Sequence, residues 1–82
     1  MTDPHPTTVT VYSMPNCHQC EATKNALNKK NIPHKVIDVT EVPKSLTHIK
    51  NLGYLQAPVV EGPTGHWSGF RPDLILQLAQ HQ

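Results

Sequence analysis

The sequence predicts a single α/β domain whose elements follow the order β-α-β-α-β-β-α, with a four-stranded mixed sheet flanked by helices. Two observations predict this class: short β-branched and apolar segments alternate with segments of helical apolar spacing, and turns rich in Pro and Gly separate them. The chain has 82 residues. This length is enough for one domain with a modest core and too short for a second one.

The first half of the chain predicts strand, helix and strand. TVTVY, residues 8–12, alternates β-branched and apolar side chains, and KVIDV, residues 35–39, is nearly continuously apolar. Between them, three residues share one helix face at helical spacing: Cys20, Thr23 and Leu27. Because a β-α-β crossover is right-handed, the two strands are expected to be parallel.

The predicted ends of this first helix carry capping residues. Asn16 is the predicted N-cap, with Gln19 three positions later in an arrangement similar to a capping box. Asn31 follows two lysines that suit the C-terminal end of the helix dipole, and it can adopt the left-handed conformation that ends a helix. We therefore expect the helix to lie between Asn16 and Asn31.

The second half predicts a helix, a hairpin and a final helix. The middle helix has apolar residues at helical spacing and ends at Gly53, a plausible left-handed cap; its apolar positions are Val42, Leu46 and Ile49. The turn-rich GPTG separates a strand at Val59 and Val60 from a strand at His66 and Trp67. Pro72 suits the first turn of the last helix, whose buried stripe is predicted to consist of Leu74, Ile75 and Leu78.

Composition and charge exclude several classes of function. The formal net charge is +1 and the seven basic residues are scattered, so neither nucleic acid nor an anionic membrane is expected as a partner. No apolar run approaches the ~20 residues of a membrane span, and the N-terminus lacks the features of a secretory signal. We expect a disordered lead-in over residues 1–7, a domain over residues 8–80, and a cytoplasmic location.

Both cysteines of the chain, Cys17 and Cys20, lie where the first strand joins the first helix. A Cys-x-x-Cys at that join of a β-α-β unit is typical of thioredoxin-like redox sites. Unpaired backbone N–H groups and the helix dipole stabilise a thiolate at the first cysteine, and the second lies one turn further on. The pattern predicts Cys17 as the nucleophile and Cys20 as the resolving thiol.

Two other interpretations of the cysteine pair are weaker. A permanent structural disulfide would not persist in a reducing cytosol, and a bridge across three residues would add little stability. The chain has six histidines that could complete a zinc site, at positions 5, 18, 34, 48, 66 and 81. However, no second Cys-x-x-Cys is present, and no histidine pair has the three-to-five spacing of a zinc finger. Scattered histidines are usually surface residues, so no metal is predicted.

Further segments resemble the glutaredoxin branch of the thioredoxin fold, and within it the NrdH-type redoxins. They are GYLQAPVV at residues 53–60, HWSGFRPD at residues 66–73, and Gln19 directly before the second cysteine. The resemblance covers about residues 8–80. It implies the thioredoxin fold and a cis Ala57–Pro58 bond beside the active-site sulfurs. No bound cofactor is required, because the cysteine pair carries both electrons.

The resemblance also implies partners. NrdH-type redoxins are reduced by thioredoxin reductase with NADPH and pass electrons to class Ib ribonucleotide reductase, here to the C-terminal cysteine pair of its large subunit. A cytoplasmic monomer is expected. Supporting roles at the active site fall to Pro58, His18 and Gln19. The surface that contacts a partner is expected to include Met14, Ala57, Trp67, Ser68, Gly69, Phe70 and Arg71.

Some of these residues keep more than one interpretation. Trp67 is either a core residue or, with Phe70, an apolar platform beside the cysteines. Arg71 is expected to fix its loop by hydrogen bonds, either to Asp73 or to backbone carbonyls. His18 could favour the thiolate of Cys17 or help to deprotonate Cys20, since the first strand lacks the buried acid that is familiar in thioredoxins.

The sequence departs from glutathione-using glutaredoxins at three places. Where those proteins carry Pro-Tyr, Thr-Val and a Gly-Gly-x-Asp-Asp loop, this chain has His18-Gln19, Gln56-Ala57 and the segment at residues 68–73. Most side chains that would hold glutathione are therefore absent. Three alternative functions remain: a glutathione-dependent glutaredoxin, a redoxin for another low-molecular-weight thiol, and a metal or iron–sulfur binding module, which could be a dimer bridged through Cys17.

Overall fold

Four strands and three helices follow one another in the order that the sequence predicts. The structure is a computed structural model that describes residues 9–62 and 65–80. The elements are β1 (Val9–Ser13), α1 (His18–Lys29), β2 (His34–Asp38), α2 (Pro43–Asn51), β3 (Val59–Gly62), β4 (Gly65–Ser68) and α3 (Pro72–Gln80). The expected lead-in at residues 1–7 lies outside the described residues. Among the described residues, no helix has the length and apolar character needed to cross a membrane.

The sheet has the strand order β2-β1-β3-β4. β1 pairs in parallel with β2, as the right-handed crossover predicts, and antiparallel with β3. β3 and β4 form the predicted hairpin, with Val60 opposite Trp67. β1 and β3 are therefore the central strands, and the chain that leaves the end of β1 leads directly to the two cysteines.

The two faces of the sheet bury separate clusters, because successive strand residues point to opposite faces. The larger cluster lies under α1 and α3 and consists of Val9, Val11, Leu27, Ile32, Val60, Trp67, Ile75 and Leu78. The smaller cluster lies under α2 and consists of Tyr12, Val39, Ile49 and Val59. Burial of each such aliphatic side chain contributes about 1.5–3 kcal/mol, so these clusters are the main source of stability.

Both predicted left-handed helix ends are confirmed. Asn31 follows α1 with φ 56°, and its N–H bonds the carbonyl of Asn28 at 3.1 Å, while the N–H of Ile32 bonds the carbonyl of Leu27 at 3.0 Å. Gly53 follows α2 with φ 98° and the same pair of hydrogen bonds. At each helix end, these two hydrogen bonds pair backbone carbonyls of the last turn that would otherwise have no partner within the helix.

Strand boundaries differ from the predictions by one residue. β1 ends at Ser13, one residue beyond the predicted end at Tyr12, while its predicted start at residue 8 lies outside the described residues. β2 spans 34–38 rather than 35–39. β2 is also less buried than its apolar sequence suggests, with Val36 44% exposed. The reason is its position at one edge of the sheet.

A polar contact joins α2 to the sheet beside the smaller cluster. The Tyr12 hydroxyl donates to Glu61 Oε1 at 3.2 Å, and His48 Nε2 donates to the same oxygen at 3.0 Å. The hydrogen bond from His48 is the main reason that the pKa of Glu61 lies below its usual value. Burial, followed by the nearby Glu61 charge, raises the pKa of Tyr12. One carboxylate therefore links β1, α2 and β3.

Candidate active site

Cys17 itself, rather than the predicted Asn16, is the N-cap of α1. Cys17 has extended backbone angles, and its Sγ accepts a hydrogen bond from the N–H of Cys20 at 3.1 Å. Asn16 instead adopts a left-handed conformation with φ 58°, which asparagine tolerates better than most residues. The N-cap prediction was therefore wrong by one residue. Asn16 adopts the left-handed backbone conformation of the turn before the helix, and the Cys17 sulfur accepts the capping hydrogen bond.

The two cysteines form a disulfide, with their Cα atoms 5.2 Å apart. Cys20 is completely buried on the inner face of α1, whereas Cys17 is partly exposed at the start of the helix. A nucleophile or an incoming thiol can therefore reach the sulfur of Cys17 but not that of Cys20. This difference in access matches the predicted roles of the first and second cysteine.

Pro58 lies beside the end of β1. The Ala57–Pro58 bond is cis, as the resemblance implies, and Pro58 is buried while Ala57 is partly exposed. Val59 pairs with Tyr12 in the antiparallel β1–β3 ladder. Pro58 therefore stands next to Ser13, four residues before Cys17.

The loop after β4 closes over this region through backbone hydrogen bonds. The N–H of Gly69 donates to the carbonyl of Pro58 at 2.8 Å, and the N–H of Phe70 donates to the Gln19 side-chain oxygen at 3.1 Å. Gly69 has φ 88°, and a Cβ there would stand 3.4 Å from the same Gln19 oxygen. Gln19 thus connects the cysteine motif to the loop, and only glycine fits at position 69 without backbone strain.

Side chains around the cysteines differ sharply in exposure. Met14 and Phe70 are 42% and 37% exposed and form an apolar rim. Trp67, in contrast, is only 8% exposed and belongs to the larger core cluster. Its indole Nε1 has no hydrogen-bond partner among the described residues. The structure therefore agrees with the core interpretation of Trp67, and its predicted contact with a partner stays a prediction.

Arg71 pairs with Asp73 rather than with backbone carbonyls. Its Nε and Nη2 donate to the two carboxylate oxygens of Asp73 at 3.2 and 3.0 Å. The hydrogen bonds from Arg71 lower the pKa of Asp73, and Asp73 in turn raises the pKa of Arg71. Because both side chains are exposed, the pair mainly orients the loop and contributes little to stability.

His18 is exposed at the first position of α1, next to Cys17. No described contact tests its suggested part in proton transfer, which stays a prediction. Within residues 9–62 and 65–80, no three His, Cys, Asp or Glu side chains are grouped closely enough to hold a metal ion.

Two contacts near the site are not apparent from the sequence pattern. The Ser68 hydroxyl donates to the carbonyl of Gln56 at 3.3 Å, and the Tyr54 hydroxyl lies 2.7 Å from Nδ1 of His66. His66 is exposed, as expected for a surface histidine, and no motif in the sequence indicates its contact with Tyr54. Each contact joins residues that are 12 positions apart, so the local spacing of apolar and polar residues does not predict either contact.

Comparisons with known proteins agree with this geometry. The glutaredoxin family model matches residues 9–62. The glutaredoxin-like protein NrdH of Escherichia coli K12 is 39% identical over 70 residues, covering 85% of this chain and 86% of that protein. NrdH of Lactococcus lactis subsp. cremoris MG1363 is 37% identical over 71 residues, covering 87% of this chain and 99% of that protein. N-acetyl-S-hydroxy-L-cysteine reductase of Bacillus subtilis 168 is 40% identical over 80 residues, covering 89% of this chain and 85% of that protein.

Solved structures of known redoxins share this fold. NrdH-redoxin from Escherichia coli superposes with a TM-score of 0.84 at 38% identity, covering 87% of this chain and 93% of that chain. A glutaredoxin from Archaeoglobus fulgidus superposes with a TM-score of 0.78 at 20% identity, which supports the fold alone. The four-stranded mixed sheet with three helices is therefore a thioredoxin fold. Together with the Cys17–Cys20 pair, these similarities show that the chain belongs to the glutaredoxin family as an NrdH-type redoxin, a thiol–disulfide oxidoreductase.

Proposed function

We propose that this redoxin carries electrons in the cytoplasm from NADPH and thioredoxin reductase to the large subunit of class Ib ribonucleotide reductase. The observation that carries the proposal is the difference in access between the two cysteines: Cys17 is partly exposed and Cys20 is completely buried. The similarity to NrdH proteins supports the choice of partners. The Escherichia coli relative has a thioredoxin-like activity profile, which favours thioredoxin reductase over glutathione as the electron source.

The reaction consists of two thiol–disulfide exchanges. The thiolate of Cys17 attacks one sulfur of the acceptor disulfide, the acceptor S–S bond breaks, and the second acceptor sulfur leaves as a thiolate that takes up a proton. Cys20, once deprotonated, attacks Sγ of Cys17 and releases the other acceptor thiol. Two electrons have passed to the acceptor, and the Cys17–Cys20 disulfide is restored. Thioredoxin reductase then supplies two electrons and the cycle repeats.

The capping geometry favours this chemistry. The N–H of Cys20 lies 3.1 Å from Sγ of Cys17 at the N-terminus of a 12-residue helix. After reduction, the same N–H and the helix dipole stabilise negative charge on that sulfur. A larger fraction of Cys17 is then present as thiolate at neutral pH, so Cys17 is the better nucleophile of the two.

The acceptor's cysteine-bearing tail is proposed to bind in extended form beside Pro58. Met14, Ala57 and Phe70 offer apolar contact along this path, and the Gly69 backbone permits close approach. Ser68 and Arg71 keep the loop in place through their hydrogen bonds to Gln56 and Asp73. Trp67 supports the loop from the core side.

Reconstitution of the complete route tests the proposal. NADPH, thioredoxin reductase, this protein and class Ib ribonucleotide reductase are combined, and deoxyribonucleotide formation is measured. We expect turnover that requires all four components and is lost with Cys17→Ser. Formation of product at the same rate without this protein, or only when glutathione is added, would contradict the proposed route.

A second substrate class is favoured by one comparison. The Bacillus subtilis relative, at 40% identity, is a reductase of N-acetyl-S-hydroxy-L-cysteine, the sulfenic acid of a small thiol. In such a reaction, Cys17 would attack the sulfenic sulfur and release water, and Cys20 would then release N-acetylcysteine. Reduced protein is mixed with N-acetylcysteine and hydrogen peroxide, and disulfide formation is followed by mass spectrometry. A rate no greater than with peroxide alone would exclude this activity.

A further inference from the structure

The segment that carries Pro58 is fastened to β4 by side chains at two places. It starts where α2 ends, with the N–H of Tyr54 bonded to the carbonyl of Ile49 at 3.0 Å, and it continues to Pro58 at the start of β3. The Tyr54 hydroxyl contacts His66, and the carbonyl of Gln56 accepts from Ser68. Residues 54–56 therefore run alongside residues 66–68 in the same direction, since the two contacts are separated by two residues in each segment.

The contact between Tyr54 and His66 is the more extensive of the two. The Tyr54 hydroxyl lies 2.7 Å from His66 Nδ1 and 3.2 Å from the His66 carbonyl oxygen. The two rings meet edge to face, with centroids 5.4 Å apart and planes at 80°. The Tyr54 ring also packs against the smaller core cluster. The hydroxyl is thus held at β4 by a ring that is itself fixed in place.

His66 is supported from the neighbouring strand. It pairs with Glu61 across the β3–β4 hairpin, and Glu61 accepts from Tyr12 and His48. His66 and Ser68 point to the same face of β4, because side chains two apart in a strand share a face. The face of β4 that contacts the Pro58 segment is therefore connected to β1 and α2 by Glu61, which lies opposite His66 and bonds Tyr12 and His48.

We propose that Tyr54, through its hydroxyl contact with His66, is a positioning residue that sets the Gln56–Pro58 backbone for binding of extended disulfide substrates. The inference rests on the proposed binding of acceptors beside Pro58. Tyr54 touches neither cysteine and acts only through the segment that it anchors. Its hydroxyl thus affects how a peptide lies against the site but not the chemistry of the Cys17 sulfur.

The test compares two disulfides that differ in how much of this surface they use. Insulin offers polypeptide on both sides of its disulfides, whereas 5,5′-dithiobis(2-nitrobenzoate) is small and needs only access to Cys17. The variants are Tyr54→Phe, which keeps the ring packing and removes the hydroxyl, His66→Ala, and the double variant. His66→Asn serves as the conservative variant, since its side-chain amide can either donate to the Tyr54 hydroxyl or accept from it.

A matched control lies at the opposite edge of the sheet. His34 on β2 also uses its Nδ1 in a hydrogen bond, here with the backbone carbonyl oxygen of Ile32 at 2.9 Å. His34→Ala therefore removes a histidine and a comparable hydrogen bond without touching the Pro58 segment. Insulin reduction is measured with dithiothreitol as the reductant. For the small disulfide, each protein is reduced beforehand, freed of dithiothreitol and followed through a single turnover, because dithiothreitol itself reduces 5,5′-dithiobis(2-nitrobenzoate). Neither thioredoxin reductase nor ribonucleotide reductase enters either measurement.

We expect Tyr54→Phe and His66→Ala each to raise KM for insulin about three- to tenfold, the range that the loss of one such hydrogen bond corresponds to. The kcat for insulin and the rate with the small disulfide should stay within twofold of the original protein. The equilibrium constant for oxidation of the Cys17–Cys20 pair should also stay within twofold, which shows that the reduction potential is unchanged. The double variant should be no worse than either single variant, and His66→Asn should recover most of the loss.

Three results would overturn the inference: an unchanged KM for insulin in Tyr54→Phe, an equal loss with the small disulfide, or an equal loss in His34→Ala. Failure of the proposed electron route would leave these measurements intact, because they use only insulin, the small disulfide and dithiothreitol. The two proposals can therefore fail separately.

Discussion

The backbone N–H of Cys20 donates a hydrogen bond to Sγ of Cys17, so the first cysteine caps the helix that buries the second. This relationship gives the two sulfurs different chemistry although they are only three residues apart. The capping sulfur is accessible and lies where negative charge is stabilised, whereas the buried sulfur can react only with its neighbour.

The first prediction separates these two roles. Cys17→Ser should abolish disulfide reduction, because the accessible nucleophile is lost. Cys20→Ser should still attack but fail to resolve, so that a covalent adduct with a disulfide substrate accumulates at Cys17. Mass spectrometry of each variant after mixing with an oxidised peptide checks this. An adduct on Cys20 in the Cys17→Ser protein would reverse the assignment.

The second prediction concerns Gly69, with Gly53 as its matched control. Both glycines have positive φ, so alanine at either position should lower the free energy of unfolding by about 1–2 kcal/mol. At Gly53 a Cβ meets nothing within 4 Å, whereas at Gly69 it stands 3.4 Å from the Gln19 oxygen. Gly69 also donates its N–H to the Pro58 carbonyl at 2.8 Å, so Gly69→Ala should slow protein disulfide reduction more than Gly53→Ala does. Denaturant unfolding and insulin reduction measure the two effects, and equal activities in the two variants would contradict the role of Gly69.

The third prediction concerns the contact between Gln19 and the loop after β4. Gln19→Met keeps the length of the side chain but removes the oxygen that accepts from Phe70. Loss of one such hydrogen bond on the surface costs about 0.5–1.5 kcal/mol. We expect faster amide hydrogen exchange at Phe70, with the exchange of β1 unchanged. Gln19→Glu retains an acceptor and should keep Phe70 protected; equal exchange in all three proteins would show that the contact does not hold the loop.

The fourth prediction concerns stability in acid. The pKa of Glu61 in the folded protein lies below its unfolded value of about 4.3, chiefly because His48 donates to it. The folded state therefore binds fewer protons at this site than the unfolded state as pH falls through that range. The stabilisation is present above about pH 4.3 and is lost as pH falls through the folded pKa.

Glu61→Gln removes this titration. The free energy of unfolding of the variant should lie below that of the original protein at pH 6, and the difference should shrink between about pH 5 and pH 3. His48→Ala should act in the same direction. Asp38 and Asp73 also have lowered pKa values, but they are common to all three proteins and cancel in the difference. A difference that does not vary with pH would contradict the assigned cause.

Local sequence pattern is sufficient for the order of elements and for several helix ends. The β-branched segment before the cysteines, the spacing of Cys20, Thr23 and Leu27, and the left-handed positions of Asn31 and Gly53 all follow from short-range physics. The N-cap of α1 does not, because asparagine suits both an N-cap and a left-handed turn, and only the assembled turn determines which role it takes.

The contacts around the site could not be predicted from local pattern. Gln19 and Phe70 are 51 residues apart, and their contact exists only because the sheet brings β4 beside β3, which in turn pairs with β1. The resemblance to known redoxins indicated the cis proline and the importance of residues 66–73, but not which atoms connect them. The contact between Tyr54 and His66 required the register of the hairpin and the path of the Pro58 segment.

The most direct test of the proposed electron route is NADPH oxidation with the oxidised protein as the only disulfide. Thioredoxin reductase is supplied in one assay, and glutathione with glutathione reductase in a parallel one. We expect rapid NADPH oxidation with thioredoxin reductase, none beyond background with Cys17→Ser, and little with glutathione. Oxidation that depends on glutathione and is absent with thioredoxin reductase would contradict the account and make the protein a glutathione-dependent glutaredoxin.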